Sequence, residues 1–460
     1  MFLIYILVFG VLTVPEMNAI FALICHQRYS TSQLDHSKYN ATNLFEDLTQ
    51  CLGNKQAQSD LSRFFIYGQT TAGLLGAVST PFLSSLSDRV GRKPFLALTA
   101  MGPLIYESLL LTILRYPDYI DLHWLLVGYA IEGLSGAVIT ATALSQAYVT
   151  DLVPPNKRAR LFSYLQAAIS FSLALGPIIS GVLLAASNPF QLIYKLAICT
   201  HICLAFAFLF LLPESRRPKP DGTTSQDDLT QELPRKENCV SLVFSSLKAI
   251  RASSAARQKN MAILATVDFC IFGILMGIYS LQLAYTAYLF HWEPSTQSFA
   301  LALFSSWSIL ILVLLFPAAM MLVRRWGRRM SPSSLSSVLN FGEVGAIKVC
   351  LALQCLGYIG IAFSRYPGSF IISSLLVASA APVAPLLTSC LTSHVPSDQS
   401  GQLLGLLSFL HSIARVVLPA IMSATYSMTV GYSPAPLFIL LACIACLSLL
   451  ATMCIKTNVL

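Results

Sequence analysis

The chain has 460 residues, of which 55% are hydrophobic and only 11% are charged, and its mean hydropathy is +0.68. Soluble globular domains carry about 25% charged residues, so this composition excludes that class. The formal net charge of +8 does not indicate a nucleic-acid partner. The basic residues lie in a few short segments between apolar runs, which is the pattern that sets membrane topology.

Twelve apolar runs are long enough to be membrane helices, because about 20 residues of helix cross a hydrocarbon core. Backbone groups in hydrocarbon must bond internally, so these runs predict an all-α membrane protein with 12 transmembrane helices. The first begins at Phe2 and lacks a cleavage site, so we read it as a span and not as a signal peptide. The predicted spans are 2–24, 64–85, 95–115, 123–149, 161–186, 190–212, 261–289, 299–323, 345–364, 369–393, 403–428 and 432–455.

The loop at 25–62 is polar and contains the sequon Asn40-Ala41-Thr42. Asn40 is therefore a candidate glycosylation site if this loop faces the lumen or the outside. Cys25 and Cys51 flank the loop, and we expect them to pair if the compartment is oxidising. Most of the other cysteines lie inside apolar runs, where a thiol behaves as a small hydrophobe.

Residues 213–259 are of a different composition, with four prolines, mixed charges and few aromatic residues. This composition predicts a flexible linker. The chain then divides into an N-terminal six-helix bundle at 1–212, a cytoplasmic linker at 213–259 and a C-terminal six-helix bundle at 260–460. Most lysines and arginines fall in alternate loops, which places both termini and the linker in the cytoplasm and the sequon loop outside.

The two halves repeat each other weakly. Val153-Pro154 recurs as Val395-Pro396 at the start of a span, and Pro177 matches Pro419 at the same offset. A basic segment after the second span, 87–93, matches another at 324–329. Weak internal similarity is typical of transporters whose site lies between two repeats, so we predict two pseudo-symmetric bundles that rock around a central cavity.

Three motifs resemble those of a known family. Asp88–Lys93 (D-R-V-G-R-K) resembles the signature loop of the major facilitator superfamily, and Arg324–Arg329 (R-R-W-G-R-R) resembles its second copy. Gly176–Gly181 (G-P-I-I-S-G) is similar to the Gly-Pro motif of the family's drug–proton antiporter branch. The resemblance covers essentially the whole chain. It is nearest to the tetracycline-resistance-type carriers and more distant from the proton-coupled folate transporter group.

The sequence departs from the family pattern at three positions. Ser84 and Ser180 replace glycines of the two motifs, and Tyr129 stands where the fourth span of the family usually has an arginine. The role of that arginine in proton handling therefore cannot be assigned to this chain.

The motifs supply the candidate gating residues. The carboxylate in the basic loop can accept hydrogen bonds from the N–H groups at the N-terminus of a neighbouring helix, where the helix dipole favours an anion. The basic side chains of the same loop can bind acidic or carbonyl groups of the other bundle. A glycine–proline pair bends a helix and lets another approach closely. The alternatives are that the charges set topology only and that the glycines serve ordinary packing. The gating candidates are Asp88, Arg89, Gly91, Arg92, Lys93, Gly176, Pro177, Gly181, Gly327 and Arg328.

Ionisable residues inside the spans are the candidates for coupling. A charge at the centre of a membrane helix costs about 2.5–3.5 kcal/mol, so it usually faces a wet interior. His411 and Arg415 are four residues apart and share a helix face. The alternative for each group is a solvated or structural role, and we interpret Glu107 and Lys195, near helix ends, as snorkelling side chains. The proton or substrate candidates are Glu16, Glu132, Asp268, His411, Arg415, Asn18, Gln146 and Gln166.

The resemblance implies secondary transport of a small organic solute, most simply proton-coupled export by antiport. A proton symporter or facilitator for an organic anion and a membrane sensor that does not transport are the alternatives. We predict no enzymatic activity, cofactor or metal, because nucleophile, phosphate-loop and zinc-ligand patterns are lacking. The expected partners are the solute, protons and the bilayer. We expect a monomer in the plasma membrane or the vacuolar membrane.

Overall fold

A computed structural model describes residues 1–29, 51–152, 155–185, 189–215, 255–322, 335–393 and 400–455, and all regular structure in these ranges is helical. We number the α-helices α1 to α14. They are α1 Phe2–Ile24, α2 Lys55–Val90, α3 Lys93–Arg115, α4 Leu125–Ser135, α5 Ala137–Leu152, α6 Pro155–Leu184, α7 Pro189–Phe206, α8 Ala255–Phe290, α9 Pro294–Leu310, α10 Leu335–Ala362, α11 Pro367–Ala378, α12 Val383–Ser393, α13 Ser400–Thr429 and α14 Ala435–Met453.

The numbered α-helices correspond to twelve membrane-length spans, because α4 with α5 and α11 with α12 each make one span. Nine candidate spans in the described part of the chain are long and apolar enough by themselves to cross a membrane. The other three spans are the long helices α2, α6 and α13. The predicted all-α class with twelve spans is confirmed.

The fourth span is broken at Gly136, where the sequence predicted a continuous helix. Gly136 has φ +73°, a left-handed conformation, and the side chain of Thr140 occupies the place of a Cβ atom. Only glycine accepts both conditions without strain. Hydrophobic periodicity continues through this residue, so an apolar run alone gives no sign of the break.

The chain forms two compact units. The first contains Met1–Arg235 and Ser280–Ala302, and the second contains Lys236–Tyr279 and Leu303–Leu460. The end of α8 and the start of α9 thus pack with the first unit, which the sequence did not indicate. The division into bundles on either side of the linker stays a prediction, and residues 216–254 of that linker lie outside the described residues.

In the first unit, α1 packs along α6 at two glycines. A Cβ atom on Gly176 would lie 2.7 Å from the backbone nitrogen of Val11 and 2.8 Å from Cα of Gly10. Gly10 in turn meets the main chain of Ser172. The two backbones are therefore in direct contact, as small residues permit in membrane helices.

The second unit has a related contact between α8 and α13. A Cβ atom on Gly273 would lie 2.6 Å from Cβ of Leu418, and one on Gly277 would lie 3.1 Å from Cα of Pro419. Pro419 is the residue that matches Pro177 in the internal repeat. In each unit, the proline-containing helix is thus approached closely by a glycine of a helix that carries an acid within its span.

The C-terminal end of α1 is fixed by covalent and polar contacts. Cys25 and Cys51 form a disulfide, as predicted. The side-chain amide of Gln27 donates to the carbonyl oxygens of Pro117 and Ile120, each at 2.8 Å. Asn40 lies outside the described residues, so its glycosylation stays a prediction.

The close contact at Gly176 makes a direct prediction. Replacing Gly176 by alanine should destabilise the protein by about 1–3 kcal/mol, because the added methyl group meets backbone atoms that cannot rotate away. Thermal unfolding of the detergent-purified protein measures the effect. The control is Val182→Leu, two turns along α6, which adds a methylene group to a side chain that is 61% exposed. Equal unfolding temperatures for the two variants would contradict the packing.

Candidate functional site

Glu16 is held by two tyrosine hydroxyl groups. Its Oε1 atom accepts a hydrogen bond from Tyr106 on α3 at 2.6 Å and another from Tyr129 on α4 at 2.9 Å. The two tyrosine rings are tilted against each other with centroids 4.9 Å apart. Glu16 lies in the middle of α1, directly after Pro15, and is half-buried. The site therefore joins three helices of the first unit around one carboxyl group.

Tyr129 gives this site its chemical character. At this position a tyrosine supplies a neutral hydrogen-bond donor, whereas an arginine would supply a permanent positive charge. Two hydroxyl donors to one oxygen atom of a carboxylate stabilise it but do not cancel its charge. Since a net charge inside a membrane is costly, the remaining way to neutralise Glu16 is to bind a proton.

Asn18, two residues further along α1, joins a second polar group. It is buried, and its side-chain amide donates to the carbonyl oxygen of Val14 at 3.0 Å and to Oε1 of Gln297 at 2.9 Å. Gln297 donates to the carbonyl oxygen of Leu283 at 3.1 Å. Asn18 thus ties α1 to the parts of α8 and α9 that belong to the first unit.

The second unit contains a carboxylate–imidazole pair. Nε2 of His411 on α13 lies 2.6 Å from Oδ2 of Asp268 on α8, and the Asp268 side chain is only 4% exposed. The ring of Phe272 stacks on the imidazole with centroids 3.9 Å apart and planes at 6°. The structure therefore brings together two candidates that the sequence named separately, and an aromatic ring fixes the orientation of the histidine.

The remaining candidates lie apart from these two contacts. Arg415 is half-buried one turn beyond His411 on α13, and Glu132 is half-buried near the end of α4. Gln146 on α5 is exposed. Gln166 lies in α6.

The basic loop between α2 and α3 carries an acidic cap. Oε1 of Glu214 accepts a hydrogen bond from the backbone nitrogen of Arg92 at 2.8 Å, and its Oε2 accepts one from that of Lys93 at 3.3 Å. A carboxylate at a helix N-terminus is favoured by the helix dipole. Gly91 has φ +119°, a backbone conformation that favours glycine. A Cβ atom there would lie 2.7 Å from Oε2 of Glu214, so a side chain at this position would also displace the cap.

The side chain of Arg92 is also bound within the first unit. Its Nε donates to Oδ2 of Asp151 at 3.1 Å, and one terminal nitrogen donates to Oγ of Ser87 at 2.7 Å. The sequence predicted that the cations of this loop reach the other bundle, whereas these contacts of Arg92 stay in the same half of the sequence. Asp88 and Arg89 lie in the last turn of α2, and the second copy with Gly327 and Arg328 lies outside the described residues.

The motif in α6 has the predicted close packing. Gly176 contacts α1 as described above, and Pro177 is buried beside it in the same helix. A Cβ atom on Gly181 would lie 3.1 Å from the ring of Phe299 on α9. Ser180, which replaces a glycine of the family motif, lies 3.2 Å from Ser298 between hydroxyl oxygens.

One ionisable pair escaped the sequence analysis. Glu107 on α3 is 1% exposed, and its Oε2 lies 2.9 Å from Nδ1 of His201 on α7. The interpretation of Glu107 as a snorkelling side chain is therefore wrong, because its charge is paired inside the protein. The available signal was that both residues stand well inside apolar runs, where an ionisable group usually has a partner.

The chain is similar to a known protein family and to known transport and resistance proteins. The sequence model of the Major Facilitator Superfamily matches residues 61–347. The MFS-type transporter avaJ of Aspergillus versicolor is 43% identical over 445 residues, which are 96% of this chain and 84% of that protein. The class C tetracycline resistance protein of Escherichia coli is 27% identical over 365 residues, 77% of this chain and 78% of the relative.

A solved structure shows the same fold. The human organic anion transporter MFSD10 (TETRAN) aligns with a TM-score of 0.60 and 20% sequence identity over 98% of this chain and 96% of the human chain. With the family match over residues 61–347 and the long alignment to avaJ, the chain belongs to the Major Facilitator Superfamily of multi-pass secondary transporters of small solutes.

Proposed function

We propose that this chain is a proton-coupled antiporter that exports a small organic solute. The observation that carries the proposal is the carboxyl group of Glu16, which lies in the middle of a membrane helix with two neutral hydroxyl donors at 2.6 and 2.9 Å. Such a group is neutral when it holds a proton and is a hydrogen-bonded anion when it does not. The carboxyl group can therefore exchange a proton for another ligand while the two tyrosines hold it in position.

The second unit supports the same role. Asp268 and His411 together carry one negative charge when the imidazole is neutral and no charge when it is protonated. In the tautomer that carries its hydrogen on Nε2, the imidazole donates to the carboxylate in both forms, so the short contact at 2.6 Å persists. Arg415, one turn away on α13, is the fixed cation of the proposal and is suited to an anionic group of the solute.

The relatives guide the choice of solute. Tetracycline is named for the Escherichia coli relative and organic anions for the human structure. A panel that begins with tetracycline and continues with small organic anions is therefore a rational first set. The monomeric state and the location in the plasma membrane or the vacuolar membrane stay predictions from the sequence.

Proteoliposomes that contain the purified protein and the pH-sensitive dye pyranine test the direction of coupling. Adding a transported solute outside should make the interior more alkaline, because an antiporter releases protons as the solute enters. A symporter would make the interior more acidic, and a facilitator would move solute without a change in pH. Either of those results, or a panel without any solute-linked proton movement, would contradict the proposal.

Glu16→Gln should abolish solute-linked proton movement while the protein stays folded, because the amide keeps the hydrogen-bond acceptor for both tyrosines but cannot lose a proton. The pyranine assay measures the loss, and gel filtration monitors the fold. Glu293→Gln is the matched control, since Glu293 is exposed just before α9. Proton movement that survives in Glu16→Gln at the control level would remove Glu16 from the mechanism.

Asp268→Asn should separate exchange from net transport. The variant cannot form the charged pair with His411, so uptake driven by a pH gradient should be lost. Exchange of labelled for unlabelled solute at equal pH requires no net proton transfer and should persist. Loss of both activities in a folded protein would instead assign Asp268 to solute binding.

A further inference from the structure

The hairpin made by the end of α8 and the start of α9, Ser280–Ala302, packs with the first unit, although the rest of both helices belongs to the second. Its turn reaches the segment that carries the Cys25–Cys51 disulfide, because a Cβ atom on Gly53 would lie 3.3 Å from Cε1 of His291. Away from the turn, two polar contacts join the hairpin to α1 and to α6. Neither contact involves an ionisable group.

The first contact joins α1 to α9 through two buried amides. Asn18 is fully buried, and Gln297 is 1% exposed. Asn18 donates one amide hydrogen to the carbonyl oxygen of Val14 at 3.0 Å and the other to Oε1 of Gln297 at 2.9 Å. The Oδ1 atom of Asn18 has no partner among the described residues. A buried acceptor without a partner has an unfavourable desolvation cost, which water would remove if the hairpin withdrew.

The second contact joins α6 to α9 through the hydroxyl groups of Ser180 and Ser298, which are both fully buried and 3.2 Å apart. Ser298 donates its hydroxyl hydrogen to the carbonyl oxygen of Pro294 at 2.9 Å, so Ser180 is the donor of the pair. The family motif has a glycine at position 180, which offers no side chain for this bond. The hydrogen bond is therefore a feature that this chain adds to the close packing of the motif.

Both contacts are suited to break and to form again. A secondary transporter opens its solute path to one side of the membrane at a time, so some helix contacts separate in every cycle. These two contacts join neutral groups, and each is a single hydrogen bond between the hairpin and α1 or α6. Water can satisfy every separated polar atom, including Oδ1 of Asn18. The contacts therefore hold the hairpin in place without making its release costly.

We propose that Asn18, Ser180, Gln297 and Ser298 form a latch, which holds the hairpin against α1 and α6 and closes the end of the solute path next to the disulfide. The latch opens and forms again once in each transport cycle. The four are positioning residues, because they act on the movement of the hairpin and not on the solute or the proton. The inference rests on the proposed transport of a solute but not on proton coupling, so the two can fail separately.

A cross-link between positions 180 and 298 tests whether the latch must open. In the variant with Ser180→Cys and Ser298→Cys, oxidation by copper phenanthroline should join the two thiols, because the hydroxyl oxygens that they replace are 3.2 Å apart. Mass spectrometry identifies the cross-linked peptides. Exchange of labelled for unlabelled solute at equal pH, with the panel solute that gives the largest wild-type exchange, should fall at least tenfold and return after reduction.

The single variant Ser298→Cys, given the same oxidation and reduction, is the matched control. It should keep its exchange, and it also reports any effect of reducing the Cys25–Cys51 disulfide. Full cross-linking with exchange at the control level would overturn the latch, and a folded double variant that does not cross-link would overturn the contact itself. Exchange that stops with the cross-link but is not linked to protons would contradict the proposed coupling and leave the latch standing.

Labelling of the thiol at position 298 tests the latch without any solute. A water-soluble maleimide should react slowly with Ser298→Cys in lipid nanodiscs, because position 298 is fully buried while the hairpin is closed. Adding Gln297→Met should make the labelling severalfold faster, because the closed state then leaves an amide hydrogen of Asn18 unpaired. Mass spectrometry of the peptide that contains position 298 separates this thiol from the native cysteines.

Adding Ser369→Ala to Ser298→Cys is the control for the labelling. Ser369 is exposed at the start of α11, and its hydroxyl group donates to the carbonyl oxygen of Tyr366 in the same turn, so the labelling rate should not change. A rate with Gln297→Met that equals the rate with Ser369→Ala would overturn the latch.

Discussion

The cost of a charge inside hydrocarbon is the constraint on which this structure depends. Even on a lenient scale, an ionised group at the centre of a membrane helix costs about 2.5–3.5 kcal/mol. Three acids in the spans meet that cost in different ways. Glu16 has two tyrosine hydroxyl groups, whereas Asp268 and Glu107 each have a histidine. None of these partners is a permanent cation, so each acid is neutral only while it or its partner holds a proton.

Close helix packing makes these contacts possible. Gly10 and Gly176 bring the backbones of α1 and α6 together, and α1 carries Glu16 less than two turns beyond Gly10. Gly273 and Gly277 do the same for α8, which carries Asp268. The glycine contacts therefore fix the helices from which the acids project. A membrane helix has little hydrophobic driving force for association, so such backbone contacts are the main source of its fixed position.

The sequence predicted the features that depend on composition and on short motifs. Long apolar runs gave the twelve spans, the cysteines at positions 25 and 51 gave the disulfide, and the motif at Gly176 gave a close helix contact. Asp268 and His411 were both named, because an ionisable residue in an apolar run is conspicuous in any sequence.

The features that the sequence missed depend on which helix faces which. Nothing in the order of residues indicates that Tyr106 and Tyr129 meet at Glu16, or that His201 meets Glu107 across 94 positions. The break at Gly136 also escaped prediction, since it requires a positive φ angle within a run that stays apolar. The acidic cap of Glu214 on the backbone of Arg92 joins residues 122 positions apart and is equally invisible to local patterns.

The central claim is that Glu16 binds and releases a proton inside the membrane. Infrared difference spectroscopy of the protein in lipid nanodiscs, between acidic and alkaline pH, observes this directly through the carbonyl stretch of a protonated carboxylic acid. The account predicts a pH-dependent band that disappears in Glu16→Gln and persists in Glu293→Gln. A difference spectrum in which Glu16→Gln matches the wild type would contradict it.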